Sequence, residues 1–379
     1  MSSVFFKIII CYNKEEPILE RRMKKMMARV NKLRTLMKKN DLSGFLVTSP
    51  YNLRYLTNFT GTTGLAVITL DKAFFITDFR YTEQAAEQAQ GFEIIQNSGP
   101  IYDEVVAIAE KEQLANLAFE ETFVSFAEYS LLEEITPCDL IPVAGLIEEL
   151  REVKDEEEIA IIEKACSIAD MGFKHILTVI KPGMTEIEIA NQLDFYMRSL
   201  GASGVSFETI VASGVRSAMP HGVASQKVIE KGDLITLDFG CYYEGYVSDM
   251  TRTFAIGEPD SKLKDIYQIV LEAQLKVLDE AKPGLTGIQL DAIARDHIVS
   301  YGYGEAFGHS TGHGIGLEIH EGPNVSFRAD QQFVPGNVIT DEPGIYLPGL
   351  GGVRIEDDLL ITKDGNRVLT HSPKELIIL

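Results

Sequence analysis

Cysteine is scarce in this chain of 379 residues: Cys11, Cys138, Cys166 and Cys241 are the only four, and no pair has the spacing of a zinc or redox motif. Unpatterned thiols suit a reducing compartment, and the cytoplasm is the expected location. Positive charge is also short. Against 56 Asp and Glu stand 35 Lys and Arg, a formal net charge of −21, which argues against nucleic acid or an anionic membrane surface as partner. The one basic stretch, 21–39, carries Met27, Val30, Leu33 and Met37 at helical spacing and reads as an amphipathic helix with a solvated basic face. No apolar run is long enough for a bilayer; Val4 to Cys11 is short, is broken by Lys7, and no small-residue cleavage site follows. Residues 1–22 fit no element and read as an N-terminal extension, disordered or foreign to the natural protein, with Met23, Met26 or Met27 as its start. No phosphate-binding glycine loop follows a strand anywhere.

Carboxylates, by contrast, are placed with purpose. Asp238 ends the alternating run Leu234-Ile235-Thr236-Leu237-Asp238, and Asp249 lies in Val247-Ser248-Asp249-Met250-Thr251, with Gly240 and Gly245 bracketing a turn between them. The two runs predict a hairpin. Two acids on one face of a hairpin repel each other unless a cation lies between them; without one they make only a solvated acidic hairpin. Farther on, Thr340 and Glu342 share a strand face with Asp341 on the other, and Arg354 and Glu356 share another face, either as a plain ion pair or as part of the same site. Pro343 ends strand pairing directly after Glu342.

The second half of the chain repeats itself. Lys181-Pro182-Gly183-Met184-Thr185-Glu186-Ile187-Glu188 returns as Lys282-Pro283-Gly284-Leu285-Thr286-Gly287-Ile288-Gln289, 101 residues on. Each copy stops one helix at Pro-Gly and opens another at a Thr N-cap, with Glu188 or Gln289 completing a capping box, and each new helix runs to a glycine, Gly201 or Gly302. Asp155 with Glu158 caps the amphipathic helix before the first copy. The same offset added to Asp238 and Asp249 lands near Glu342 and Glu356. A duplicated unit, helices followed by two acid-bearing strands, therefore predicts four acids around a pseudo-twofold axis.

Four of the seven histidines lie in two glycine-rich stretches: Pro220-His221-Gly222, and Gly308 to Pro323 with His309, His313 and His320. Glycines on both sides of a histidine let backbone approach a ligand closely and exclude the helix of a zincin. Four acids with imidazole suit Mn²⁺, Fe²⁺, Co²⁺ or Zn²⁺. His175, His297 and His371 lack that context and read as structural or surface residues.

The set LDFG…SDMTRT, GHSTGHGIGLEIHEGP, EPGIY and VRIEDD resembles the pita-bread metallopeptidases, in their Xaa-Pro dipeptidase (prolidase) and aminopeptidase P branch. The resemblance covers about residues 23 to 379. It implies an α/β creatinase-like N-terminal domain at 23–150, supported by Tyr55-Leu56-Thr57-Asn58-Phe59 and Thr77-Asp78-Phe79-Arg80-Tyr81, and an α+β pita-bread catalytic domain at 151–379 with the internal duplication. It implies two divalent metal ions, manganese first, with cobalt, zinc or iron as alternatives. Asp238 would chelate one ion, His313 with Glu342 the other, and Asp249 and Glu356 would bridge them. Glu342 would shuttle the proton, His221 and His320 would donate hydrogen bonds to substrate and developing oxyanion, and His309 and Arg354 would line the proline-side pocket or orient ligands. Thr251 and Thr340 would hold the carboxylates. Asp341 departs from the family, which has an apolar residue there. The implied reaction is hydrolysis of the Xaa-Pro bond in dipeptides or at the N-terminus of peptides by a hydroxide shared between the ions, in a homodimer. Alternatives are a methionine aminopeptidase-like or creatinase-like hydrolase, disfavoured by the N-terminal domain and the intact ligand set respectively, and a non-catalytic binding protein of the same fold. Dipeptidase against longer-peptide aminopeptidase stays open.

Overall fold

A computed structural model of the chain describes residues 18–379. The expected extension lies outside the described residues up to residue 17, as does Cys11; from Ile18 the chain is helical to Lys39, so the anticipated start at residue 23 falls inside a helix. Met26, Val30, Leu33 and Met37 form its buried stripe. The chain divides into two compact units, up to Leu150 and from Arg151 to Leu379. No helix among the described residues is long and apolar enough to cross a membrane.

The first unit is built on a six-stranded mixed sheet. From edge to edge it runs Glu93–Gln96, Ala73–Thr77, Leu65–Thr69, Gly44–Val47, Asn116–Glu120 and Asp139–Val143. The three central strands from Ala73 to Val47 are buried along their whole length, which explains their continuous apolar runs. Val105, Ile108 and Leu132 from flanking helices pack on Leu46, Val67 and Phe74 to form its core.

The second unit carries the duplication. Asp155, Thr185 and Thr286 are N-caps of the helices Glu156–Val179, Glu186–Ser199 and Gly287–Ser300, each with both hydrogen bonds of a capping box. Gly201 and Gly302 follow the latter two helices with φ of 108° and 83°, a conformation that costs glycine nothing. In the first half, Leu234–Phe239 pairs with Ile210–Ser213 on one side and Met250–Ala255 on the other. In the second, Val338–Asp341 lies between Gly312–Gly314 and Asp357–Ile361. Each half keeps its own core: Phe173, Leu193, Leu237 and Phe254 in the first, Val270, Leu290, Ile339 and Leu359 in the second.

Asp249 and Glu356 occupy equivalent places, each immediately before the last of these strands. Asp238 and Glu342 do not. Asp238 stands across from Thr251, whereas Thr340 takes the place across from Asp358, so Glu342 sits two residues farther on, just past the end of its strand. Between Phe239 and Met250 the hairpin makes an excursion. A Cβ on Gly240 would lie 1.8 Å from the Ser248 carbonyl oxygen, which forces glycine there, and Glu244 and Gly245 turn with φ of 45° and 84°, the geometry of a primed hairpin turn.

Candidate metal centre

Five side chains from five segments converge. Carboxylate oxygens of Asp238, Asp249 and Glu356 lie within 4.8 Å of one another. His313 Nε2 is 3.7 Å from Asp249 Oδ2 and 3.4 Å from Glu342 Oε1. All five face a cavity of about 490 Å³, which His221, His309, His320 and Arg354 also line. Glycine brings His313 in. A Cβ on Gly312 would lie 2.1 Å from the Thr340 carbonyl oxygen and one on Gly314 2.3 Å from that of Gly322, so the histidine strand fits only because both neighbours lack side chains.

The electrostatics favour a cation. Burial, then the charges of Glu356 and Asp238, push Asp249 well above the usual carboxylate range, and burial with Glu342 does the same to Glu356. Burial raises Glu342 to about 8. The imidazole moves the other way: burial, and then His320, lower His313 to about 4, so it is neutral. Its Nδ1 donates to the Gly314 carbonyl at 3.0 Å, which leaves a lone pair on Nε2 facing two carboxylates. Lone pairs that face one another at these distances are repulsive, and a divalent ion between them removes the repulsion. Asp238 Oδ1 and Asp249 Oδ1 are also buried without a hydrogen-bond partner, leaving acceptors to spare. The five residues fit divalent metal.

Around them runs a set of hydrogen bonds that fixes the carboxylates of Asp238, Glu342 and Glu356. Thr251 Oγ1 donates to Glu356 at 2.6 Å and Thr340 Oγ1 to Glu342 at 3.2 Å, as expected of these threonines. Arg354 makes its ion pair with Asp238, at 2.5 Å, rather than with Glu356. Its Nη1 donates to the Tyr346 hydroxyl at 2.7 Å. His309 has both ring nitrogens engaged. Nδ1 meets the Ser310 carbonyl and must donate, so Nε2 accepts from the Tyr346 hydroxyl at 2.8 Å. Burial, then Arg354, hold His309 at about 4, consistent with that neutral tautomer. His309, Tyr346, Arg354 and Asp238 therefore form one chain of hydrogen bonds. His221 is solvent-exposed at the cavity wall, beside Pro220, whose carbonyl accepts from Arg354 at 3.2 Å. The His320 ring packs against that of His313 with centroids 4.3 Å apart.

Two participants escaped sequence reasoning. Tyr346 entered only as the last residue of the EPGIY motif. Asp358 was not singled out, yet its Oδ2 accepts the Asp249 amide at 3.0 Å and the Cys166 thiol at 3.2 Å. Strand parity with Glu356 could have flagged it. Asp341 is fully buried opposite Asp357, both carboxyl oxygens lack a hydrogen-bond partner, and burial followed by Asp357 holds its pKa well above the usual range.

Residues 160–363 match the profile of metallopeptidase family M24, and residues 29–153 that of the creatinase/prolidase N-terminal domain. The chain belongs to metallopeptidase family M24. It is 55% identical over 354 residues to the uncharacterized peptidase YqhT of Bacillus subtilis, covering 93% of this chain and 100% of that one. Among solved structures, the Xaa-Pro dipeptidase from Bacillus anthracis superposes with a TM-score of 0.93 at 54% identity, covering 93% of this chain and all of that one. The X-Pro aminopeptidase from Thermotoga maritima gives a TM-score of 0.85 at 42% identity, covering 89% and 98%. This M24 enzyme is thus a metallopeptidase with a creatinase-type N-terminal domain and a pita-bread catalytic domain, and divalent metal ions belong to its chemistry.

Proposed function

We propose that this M24 peptidase hydrolyses the Xaa-Pro bond, in dipeptides or at the N-terminus of longer peptides, with two divalent ions, manganese first, held by Asp238, Asp249, His313, Glu342 and Glu356. The observation that carries the reading is the convergence of those five donors, with a neutral imidazole lone pair facing two carboxylates, on a cavity walled by three further histidines. Two of the similar structures are named for Xaa-Pro or X-Pro peptides, and Ile210, Pro220, Val223 and Ile319 give the cavity an apolar wall that suits a proline ring.

Divalent ions at such a site lower the pKa of water towards neutrality and polarise a scissile carbonyl. The protein's own residues do the rest. Glu342, whose carboxylate lines the cavity, takes a proton from the attacking water and returns it to the leaving imide nitrogen. His320, whose pKa burial and then His221 lower, donates an N–H to the developing oxyanion, and His221 donates to the substrate. His309 acts through Tyr346 and Arg354, holding Asp238 in one orientation. The reading also implies a homodimer working in the cytoplasm, a compartment that suits the free thiols Cys138, Cys166 and Cys241; sedimentation and cell fractionation test these.

The deciding experiment compares peptides on manganese-loaded enzyme. An Xaa-Pro bond has no amide hydrogen, so a site shaped for it leaves the N–H of an ordinary peptide buried and unpaired, at about 1–3 kcal/mol. Ala-Pro or Met-Pro peptides should be cleaved at least tenfold faster than Ala-Ala or Met-Ala. Comparable rates on Met-Pro and Met-Ala would overturn the proline specificity and favour a methionine aminopeptidase-like activity.

A further inference from the structure

Two buried carboxylates that the mechanism does not use stand on corresponding helices of the two halves. Glu186, completely buried, opens the helix Glu186–Ser199; Asp291, 1% exposed, is on the helix Gly287–Ser300. Neither faces the cavity. Each instead gathers backbone and hydroxyl donors from a loop that does.

Glu186 closes the loop of His221 at both ends. Its Oε1 accepts the amide and the hydroxyl of Ser213, both at 2.8 Å. Its Oε2 accepts the amide of Ser225 at 3.0 Å and that hydroxyl at 2.6 Å. Arg216, within the loop, pairs with the same oxygen and donates to the Val223 carbonyl at 2.9 Å. One carboxylate thus fixes both stems of an eleven-residue excursion, 214–224, that contains His221.

Asp291 does the same in the other half. Oδ1 accepts the amide of Thr311 at 3.0 Å and its hydroxyl at 2.9 Å. Arg295, paired to it at 2.7 Å, donates to the carbonyls of Phe307 at 3.1 Å and His309 at 2.8 Å. The carbonyl of Thr311 in turn accepts the Glu342 amide at 2.7 Å. The two acids occupy different turns of their helices, so the likeness is one of device rather than of inherited position. In each half a buried acid and a loop- or helix-borne arginine clamp a segment that ends at a cavity histidine.

We infer that Glu186 and Asp291 are positioning residues, acting through His221 and His309 respectively. The inference rests on the Xaa-Pro peptidase reading. A carboxylate that accepts four or five hydrogen bonds holds the loop backbone far more tightly than packing of Ser, Gly and Pro residues does, and misplacement of a catalytic group by about 1 Å can cost roughly a hundredfold.

The test is a pair of double-mutant cycles on the full manganese-loaded chain, with Ala-Pro-Ala hydrolysis resolved into kcat and KM and bound metal measured by elemental analysis. Glu186→Gln and Asp291→Asn should each lower kcat/KM roughly tenfold or more at unchanged metal content. Adding Glu186→Gln to His221→Ala, or Asp291→Asn to His309→Ala, should cost no more than the histidine change alone, because each acid acts through that histidine. A purely structural staple would instead multiply the losses, and multiplied losses overturn the inference. If either acid variant fails to fold, Ser225→Ala and Arg295→Gln, which remove single partners, replace them in the same cycles with the same criterion. A parent chain that leaves Xaa-Pro peptides intact overturns the functional reading and this inference with it; an active parent with additive losses overturns the inference alone.

Discussion

Stripping the metal should make this protein's stability fall as pH rises through neutrality. Glu342 is held at about 8 by burial, against about 4.3 in an unfolded chain. Between those values the folded state keeps a proton that the unfolded state has released, so stability decreases with pH across the interval. Its contribution is fully present below about pH 4 and is lost by pH 8. Asp249 and Glu356, raised in the same direction, add to the slope. The histidines oppose it only lower down. His313 and His309 are depressed to about 4, so they penalise the folded state below about pH 6.5 and have no slope above it. The clean window is therefore pH 6.5 to 8. There Glu342 alone changes stability by roughly 2 kcal/mol at about 1.4 kcal/mol per pH unit, which for a chain of 379 residues is about 2–3 °C in Tm. Metal binds the ionised carboxylates and the neutral imidazole, so the loaded protein should lose the share of this dependence due to Glu342, Asp249 and Glu356 and keep only that of the buried non-ligands Asp341 and Asp358. Calorimetry of chelated and manganese-reloaded protein at three pH values in this window measures the difference. A chelated protein whose Tm stays level or rises from pH 6.5 to 8 would refute the reasoning.

Ligands and helpers should separate on substitution. Asp249→Ala or Glu356→Ala should cost at least one bound ion by elemental analysis, while His320→Ala should keep its metal and lose roughly ten- to a thousandfold in kcat; equal metal loss in both would show the roles misassigned. Asp341→Val removes a buried carboxyl with no hydrogen-bond partner and should raise stability by about 1–3 kcal/mol; a lower Tm would mean that this carboxyl is engaged after all. Exhaustive chelation should abolish hydrolysis, and Mn²⁺ or Co²⁺ should restore it; full activity without metal would remove the basis for the proposed chemistry.

What the sequence determined by itself was local or periodic. The capping boxes at Asp155, Thr185 and Thr286 form because partner and cap are three residues apart in one helical turn, so their spacing is the structure. The terminal glycines, the hairpin joining Asp238 to Asp249 and the duplication of helices and strands follow from short patterns of the same kind, and motif likeness carried the family and both domain folds. Tertiary structure decided the partners. Arg354 pairs with Asp238, 116 residues away, and not with Glu356 two residues on, because the two halves face each other across the cavity. His309 reaches Tyr346, Asp358 reaches the amide of Asp249, and Glu186 and Asp291 grip the histidine loops, all through contacts between segments distant in sequence. Strand parity says which face a side chain takes but not what stands opposite. Nor does it say how completely burial removes water, and that desolvation is what raises the pKa of Glu342 and lowers that of His313.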